Sequence, residues 1–136
     1  SSGKVKFLEL RDGTGIVPHS DYGLLTLVGS DKPGLQALEG ENIKLGHWID
    51  APCGEPEAPE LWINVGDAAL FQTENKEFVA GVHQVPQVEE GNRYSLSLFL
   101  NPHFDEVIST FKGLTVDYGT YLRSDKKDYH VNTRLY

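Results

Sequence analysis

The chain has 136 residues, and its 12 basic and 20 acidic residues give a formal net charge of −8 at pH 7. This balance disfavours nucleic acid as a partner, because the chain has no surplus of cations to neutralise phosphates. No apolar run approaches the ~20 residues that a membrane-spanning helix needs, and the single cysteine, Cys53, excludes an intramolecular disulfide. We therefore expect one domain with no membrane or nucleic-acid partner, in a reduced, cytoplasmic compartment.

Short runs rich in aliphatic, β-branched and aromatic residues alternate with glycines and prolines along most of the chain, which predicts an all-β fold. The predicted strands cover Val5 to Leu10, Gly15 to His19, Leu24 to Val28, Gly34 to Leu38, His47 to Asp50, Leu61 to Val65, Phe78 to Val85 and Arg93 to Leu100. Eight strands are typical of a closed barrel or a double-sheet roll.

The last of these runs alternates most clearly. Because successive side chains of a strand point to opposite faces, it has two rows. The apolar row is Tyr94, Leu96, Leu98 and Leu100, and the partly polar row is Arg93, Ser95, Ser97 and Phe99. We expect the partly polar row to point into the barrel.

Beyond the strands, the sequence predicts one or two short helices. Apolar residues at helical spacing predict a helix from Phe104 to Phe111, ended by Gly113, and a second helix is predicted over Asp117 to Arg123. The charged tail from Ser124 to Tyr136 is expected to be surface structure or partly disordered. The acidic, proline-rich segment from Gly54 to Glu60 is expected to be a surface loop without ladder hydrogen bonds.

A metal site is the first candidate for chemistry. His19-Ser20-Asp21 ends a predicted strand, and His83 lies on a later one. Residues two apart on a strand share a face, and two imidazoles with one carboxylate are the ligand set of non-haem iron(II) oxygenases. A lone His-x-Asp is also common where a strand ends and the carboxylate caps backbone groups, so both interpretations stand at this point.

Arg93 is the second candidate. A guanidinium that points into a barrel requires an anion, because buried charges are normally paired. With the neighbouring hydroxyl of Ser95 it suits a carboxylate, which could belong to a protein Asp or Glu or to a dicarboxylate co-substrate.

The sequence resembles the C-terminal core of the iron(II) and 2-oxoglutarate-dependent oxygenases, in the branch that includes isopenicillin N synthase. Ordered blocks along nearly the whole chain carry this resemblance: residues 19–27 (HSDYGLLTL), 34–36 (GLQ), 48–49 (WI), 63–67 (INVGD), 82–85 (VHQV), 93–95 (RYS), 101–102 (NP) and 118–122 (YGTYL).

The resemblance implies a double-stranded β-helix, or jelly roll, in which His19, Asp21 and His83 bind Fe(II). It implies that Arg93 and Ser95 bind the distal carboxylate of 2-oxoglutarate, and that O₂ is the oxidant. The implied reaction oxidises an unactivated C–H bond of a small molecule and releases succinate and carbon dioxide, with ascorbate as an optional reductant. We expect no catalytic residue beyond the metal centre, and Tyr22 is a candidate for the substrate pocket because it follows Asp21.

Residues 1–102 would form the catalytic jelly roll, and residues 103–136 a C-terminal helical segment and tail of the same domain. The N-terminal helical region of the family is absent, so the chain is expected to be the core of a longer enzyme or to be completed by another chain. Exposed apolar surface should then make it elute larger than a monomer. Leu8-Glu9-Leu10 stands where many relatives have an Asn-x-Tyr that contacts 2-oxoglutarate.

Other polar residues are expected to be background. His47, His103 and His130 have no partner at ligand spacing, Asp67 is predicted to close a turn, and Cys53 has no neighbouring base. Two further functions remain open: an iron oxidase of the same fold that does not use 2-oxoglutarate, and a non-catalytic jelly-roll binding module.

Overall fold

The computed structural model describes residues 2–74, 77–124 and 133–135. Within these ranges the strands are β1 (Ser2–Leu10), β2 (Ile16–His19), β3 (Leu25–Ser30), β4 (Gln36–Glu39), β5 (His47–Asp50), β6 (Gly54–Glu55), β7 (Ala58–Pro59), β8 (Trp62–Val65), β9 (His83–Val85), β10 (Arg93–Asn101), β11 (Val107–Ser109) and β12 (Thr115–Asp117). The helices are α1 (Asp67–Thr73) and α2 (Tyr118–Arg123), and a 3₁₀ turn covers Thr133–Leu135.

Two four-stranded sheets form the body of the fold. The larger sheet has the order β1-β10-β3-β8 and the smaller sheet the order β2-β9-β4-β5, and neighbouring strands are antiparallel in both. Successive strands β1 to β4 alternate between the sheets, and β8, β9 and β10 do so again, which is the winding of a double-stranded β-helix. The predicted jelly roll is therefore confirmed.

Strand β10 shows how the sequence pattern sets the two faces of the larger sheet. Its partly polar row points inward and lines the cavity between the sheets, as predicted. Its apolar row points outward, where Leu96 is 53% exposed. The outer face continues with Phe7 of β1, which lies opposite Leu96 in the register, and with Ile63 of β8. The association expected from such an apolar surface stays a prediction, which size-exclusion chromatography tests.

Two clusters of buried side chains hold the elements together. The first, between the sheets, contains Leu10, Leu35, Ala51 and Val85. The second joins α1, β11, β12 and α2 and contains Ala68, Phe71, Ile108, Val116, Tyr118 and Tyr121. Three residues of the first cluster, Leu10, Leu35 and Val85, also line the cavity between the sheets, whereas both helices pack in the second cluster.

The prediction of a helix from Phe104 to Phe111 is wrong. The centre of this segment is β11, which pairs with β12, and only Ile108 of its apolar residues is buried, whereas Phe104 and Phe111 are 71% and 65% exposed. Gly113 has a φ of 86° and lies in the hairpin turn, where Thr110 N donates to the Leu114 carbonyl. Tertiary pairing with β12 therefore overrides the local helical spacing.

Helix α1 was not predicted, because Gly66-Asp67 suggested only a turn. The second predicted helix is confirmed as α2, and the Asp117 side chain accepts a hydrogen bond from Thr120 N at its start. The predicted loop from Gly54 to Glu60 contains a small hairpin, β6-β7, so the expectation of no ladder hydrogen bonds there was wrong.

Only part of the predicted tail is described, since residues 125–132 and 136 lie outside the described ranges. In the 3₁₀ turn, the Arg134 guanidinium donates to the carbonyl oxygens of Leu38, Gly40 and Ala80. That segment is therefore bonded to the body of the domain. None of the described helices has the length and apolar character needed to cross a membrane.

Candidate functional site

Strands β2 and β9 bring the three predicted metal ligands together. His19 and His83 are register partners on these antiparallel strands, and their ring centroids are 4.2 Å apart. Asp21 follows β2, with Oδ1 3.9 Å from His19 Nε2 and Oδ2 3.8 Å from His83 Nε2. The three ligand atoms lie within 4.8 Å of one another, and no other such group of His, Cys, Asp or Glu occurs among the described residues.

Each histidine is oriented by a backbone carbonyl two residues earlier. His19 Nδ1 is 2.8 Å from the Val17 carbonyl oxygen, and His83 Nδ1 is 2.9 Å from that of Gly81. A proton on Nδ1 donates to the carbonyl and leaves the Nε2 lone pair free to bind a metal. Both Nε2 atoms face Asp21, so the arrangement fixes the tautomer that a metal site needs.

The charge state of the cluster also fits a cation. Burial lowers the pKa of His83, and His19 adds to this effect, whereas Asp21 and the bond to Gly81 oppose it. Asp21 Oδ2 is buried and accepts no hydrogen bond. A buried carboxylate oxygen without a donor is costly unless a cation meets it. The donor set therefore fits a divalent metal with two imidazoles and one carboxylate.

The loop that carries Asp21 is fixed by the start of α1. Asp67 N donates to the Asp21 carbonyl and Ala68 N to the Gly23 carbonyl. A Cβ atom on Gly23 would overlap the Asn101 side chain, and one on Gly66 would overlap the Gly23 carbonyl oxygen. Sequence reasoning missed this role, although the apolar run after Gly66-Asp67 was a signal for a helix.

Helix α2 contacts the same loop. The Tyr118 hydroxyl donates to the Tyr22 carbonyl oxygen over 3.2 Å, and burial raises the pKa of Tyr118 to about 12, with Asp67 adding to the effect. The hydroxyl thus remains a donor at physiological pH. Both helices therefore support the loop after β2 from outside the sheets.

A cavity of about 350 Å³ lies between the two sheets and includes all three candidate ligands. Arg93 and Ser95 line it from β10, and their side chains are almost fully buried, at 3% and 7% exposure. The size is in the range of small-molecule sites. The structure thus places the three candidate metal ligands and both candidate carboxylate-binding residues around one cavity.

The Arg93 guanidinium is hydrogen-bonded through Nε and has no hydrogen-bond partner at Nη2. Its Nε donates to the carbonyl oxygens of Lys32 and Pro33 at 3.1 Å each, whereas Nη2 is buried without a hydrogen-bond partner. Burial lowers the pKa of Arg93, which Asp31 and Cys53 oppose, and a guanidinium remains charged throughout the physiological range. No carboxylate of the described residues forms an ion pair with Arg93, so its terminal nitrogen suits an external anion.

Tyr22 lies outside the main cavity. Its side chain is 56% exposed and lines a smaller cavity of about 240 Å³, which also borders His19, Asp21 and Phe99. Tyr22 is therefore near the metal cluster, on the side away from Arg93.

The background residues stay apart from the cluster. His47 is exposed and 2.7 Å from Glu39, and His103 is exposed, while His130 lies outside the described residues. Asp67 is buried at the start of α1 rather than closing a simple turn. The Cys53 thiol is half-buried and lies 3.5 Å from the Gly54 carbonyl oxygen.

Comparison with known proteins identifies the class that this fold and cluster define. The sequence profile of the 2OG-Fe(II) oxygenase superfamily matches residues 8–102. The chain belongs to this superfamily, whose name states the metal and the co-substrate.

Relatives are similar over the same core. A 1-aminocyclopropane-1-carboxylate oxidase of Persea americana is 38% identical over 96 residues, which are 69% of this chain and 27% of the relative. The 2-oxoglutarate-dependent dioxygenase ecdG of Aspergillus rugulosus is 28% identical over 115 residues, 81% of this chain and 32% of the relative.

A solved structure shows the same likeness. A full-length Neurospora crassa protein, crystallised in complex with α-ketoglutarate, which is 2-oxoglutarate, has a TM-score of 0.61 and 28% sequence identity. The match covers 79% of this chain and 35% of the Neurospora protein. The chain therefore spans about a third or less of each of these three proteins.

Proposed function

We propose that the chain is the catalytic core of an Fe(II)- and 2-oxoglutarate-dependent oxygenase that oxidises an unactivated C–H bond of a small molecule. The products from the co-substrate would be succinate and carbon dioxide. The observation that carries the proposal is the cluster of His19, Asp21 and His83, whose ligand atoms converge at the edge of a cavity that also contains Arg93.

In this proposal His19, Asp21 and His83 hold the iron. Two neutral imidazoles and one carboxylate leave coordination positions open, as non-haem Fe(II) oxygenases require. The bound metal supplies the redox chemistry with O₂, and ascorbate is an additional reductant. The chain itself keeps both Nε2 atoms directed at Asp21 through the carbonyls of Val17 and Gly81.

Arg93 and Ser95 bind the distal carboxylate of 2-oxoglutarate in this proposal. The support is the unpaired Nη2 of Arg93 beside the buried hydroxyl of Ser95, two residues further along the same inward row of β10. Charge-assisted bonds from a guanidinium to a carboxylate are short and directional, so they would fix the co-substrate relative to the metal ligands. Tyr22 is proposed as a wall of the substrate pocket.

A second candidate is an iron oxidase of the same fold that does not use 2-oxoglutarate. The observation that favours it is the 38% identity to an oxidase whose named substrate, 1-aminocyclopropane-1-carboxylate, is itself a carboxylate. In that case Arg93 and Ser95 would bind the substrate or another anion. The same residues then serve both candidates, and only the ligand differs.

Anaerobic spectroscopy tests the proposal. Fe(II) and 2-oxoglutarate added to the wild-type chain should give a visible metal-to-ligand charge-transfer band, and Asp21→Ala should not give it. Bound iron without the band would favour the oxidase. Equal metal affinity in wild type, His19→Ala and Asp21→Ala would refute both enzyme hypotheses and favour a non-catalytic binding module. Succinate release, screened over amino acids, phenolics and terpenoid acids, then identifies the substrate.

A further inference from the structure

The cavity contains a second cation besides Arg93. Lys6 lines it from β1, on the same face as Leu8 and Leu10, which also line it. Val5 and Phe7 on the outer face are 62% and 66% exposed. Lys6 is exposed as well, so it lies at the open rim of the cavity rather than deep inside it. The alternation of the strand thus directs Lys6 to the inner side of the larger sheet.

Lys6 is the ionisable group of the cavity wall to which the proposed function gives no role. The wall includes Lys6, Arg93 and the three candidate ligands as its ionisable side chains. Asp21 is the one carboxylate among them, and it faces the two histidines. No ion pair among the described residues includes Lys6, and its register partner is the neutral Ser97. The ammonium group is therefore available to an anion in the cavity.

Lys6 and Arg93 enter the cavity from different positions along the larger sheet. Ser97 lies opposite Lys6, and Arg93 is four positions before Ser97 on β10. At the rise of an extended strand this corresponds to about 13 Å. The two cations therefore offer two points of attachment for anions along one cavity, on the sheet opposite the metal cluster.

We propose that Lys6 binds a carboxylate of the small-molecule substrate, so that the enzyme acts on an organic acid. This inference rests on the proposed function, in which Arg93 serves the co-substrate. The wall near Lys6 is apolar, with Val28 beside Ser97 and Phe99 one row further along β10. An acid with an apolar body would place its charge at Lys6 and its hydrocarbon part against these side chains.

Calorimetry on the chain loaded with Ni²⁺ and 2-oxoglutarate tests the proposal with matched probes. The probes are 1-aminocyclopropane-1-carboxylate, benzoate and indole-3-acetate, each paired with its primary amide. The wild-type chain should bind at least one acid about tenfold more tightly than its amide, because a charge-assisted bond to an ammonium is lost in the amide. Lys6→Met should remove this preference and leave the amide affinity unchanged.

Two variants complete the test. Lys6→Arg should keep most of the preference, and Lys44→Met, which removes an exposed lysine of the β4-β5 turn, should keep all of it. A wild-type chain without preference for any acid, or an undiminished preference in Lys6→Met, overturns the proposal. So does a weaker affinity of Lys6→Met for 2-oxoglutarate, which would assign Lys6 to the co-substrate. A wild-type chain that binds no Ni²⁺ would instead refute the proposed function.

Discussion

In the smaller sheet, the two histidine rings are each oriented by a carbonyl two residues away, whereas in the larger sheet Arg93 is held by a distant segment. His19 and His83 each bond to a carbonyl two residues earlier in the chain. Arg93 bonds to the carbonyls of Lys32 and Pro33, about 60 residues before it. The orientation of each histidine ring is therefore set locally, although the cluster forms only when β2 pairs with β9 and α1 holds the loop of Asp21. The proposed carboxylate site depends entirely on the distant segment at Lys32 and Pro33.

This difference implies that the two halves of the site respond separately to substitution. A change at the metal cluster should remove metal binding and leave the carboxylate site folded. A change at Arg93 should weaken the binding of the co-substrate and leave metal binding unchanged. The predictions below test this separation.

The largest effect is expected at Asp21. Asp21→Ala removes the one carboxylate of the cluster and should lower the affinity for Ni²⁺ by more than about 100-fold, since even changes in groups that merely support ligands cost 10–100-fold. Isothermal titration calorimetry measures it. His47→Ala is the control, because His47 is an exposed histidine that lies with Glu39, away from the cluster. Wild-type affinity in Asp21→Ala would contradict the metal site.

Next in size is the effect of Arg93→Met on 2-oxoglutarate. Removing the guanidinium leaves the co-substrate carboxylate unpaired, at a cost of ~2 kcal/mol or more, so the dissociation constant should rise roughly 30-fold. The affinity for Ni²⁺ should change little. Arg123→Met, which removes an exposed guanidinium of α2, is the control. An unchanged 2-oxoglutarate affinity in Arg93→Met would remove Arg93 from the site.

A smaller effect is expected where α1 meets the loop after β2. Gly23→Ala places a methyl group on the Asn101 side chain, and overpacking of this kind costs about 2 kcal/mol of the free energy of unfolding. The loop that moves carries Asp21, so Ni²⁺ affinity should fall as well. Gly3→Ala is the control, since its Cβ would meet Leu98 at an ordinary 3.5 Å. Denaturant unfolding compares the two, and equal stability would show that the loop adapts.

The metal cluster was easier to predict from the sequence than the site around Arg93. His19-Ser20-Asp21 is a contiguous pattern, and strand alternation alone puts both ligand side chains on one face. Arg93 and Ser95 were found because the alternation of β10 separates polar from apolar residues. The jelly roll followed from the strand pattern together with the family resemblance.

What sequence reasoning missed depends on contacts between distant segments. The role proposed for Lys6 depends on the pairing of β1 with β10, which places Lys6 at the cavity. Helix α1 was hidden because Gly66-Asp67 is also common turn chemistry. The helix prediction around Ile108 failed because the spacing of apolar residues does not reveal a strand of three residues, β11, which is defined by its pairing with β12. In each case the partner strand or loop decides the structure.

The smallest effect concerns α2, which lies outside both sheets. Asp117 caps this helix, and hydrogen bonds from the Thr120 side chain and from Thr120 N hold the pKa of its carboxyl below the ordinary value of 3.8. A lowered folded pKa means that the cap stabilises the fold above that value and is lost as the pH falls through the lowered pKa. Asn also caps helices, but its side chain does not titrate in this pH range. The Asp117→Asn variant should therefore have the stability of the wild type near pH ~7 and lose less stability than the wild type on acidification to pH ~3.

Thermal unfolding at both pH values measures this difference. Glu57→Gln, an exposed carboxyl in the β6-β7 turn, is the control and should follow the wild type in acid. Asn at position 117 should keep the cap, and with it the bond from Tyr118 to the loop after β2, so Ni²⁺ affinity at neutral pH should be the same in Asp117→Asn and wild type. A lower affinity in Asp117→Asn would mean that the metal cluster depends on α2, and that local backbone bonds are insufficient to hold it.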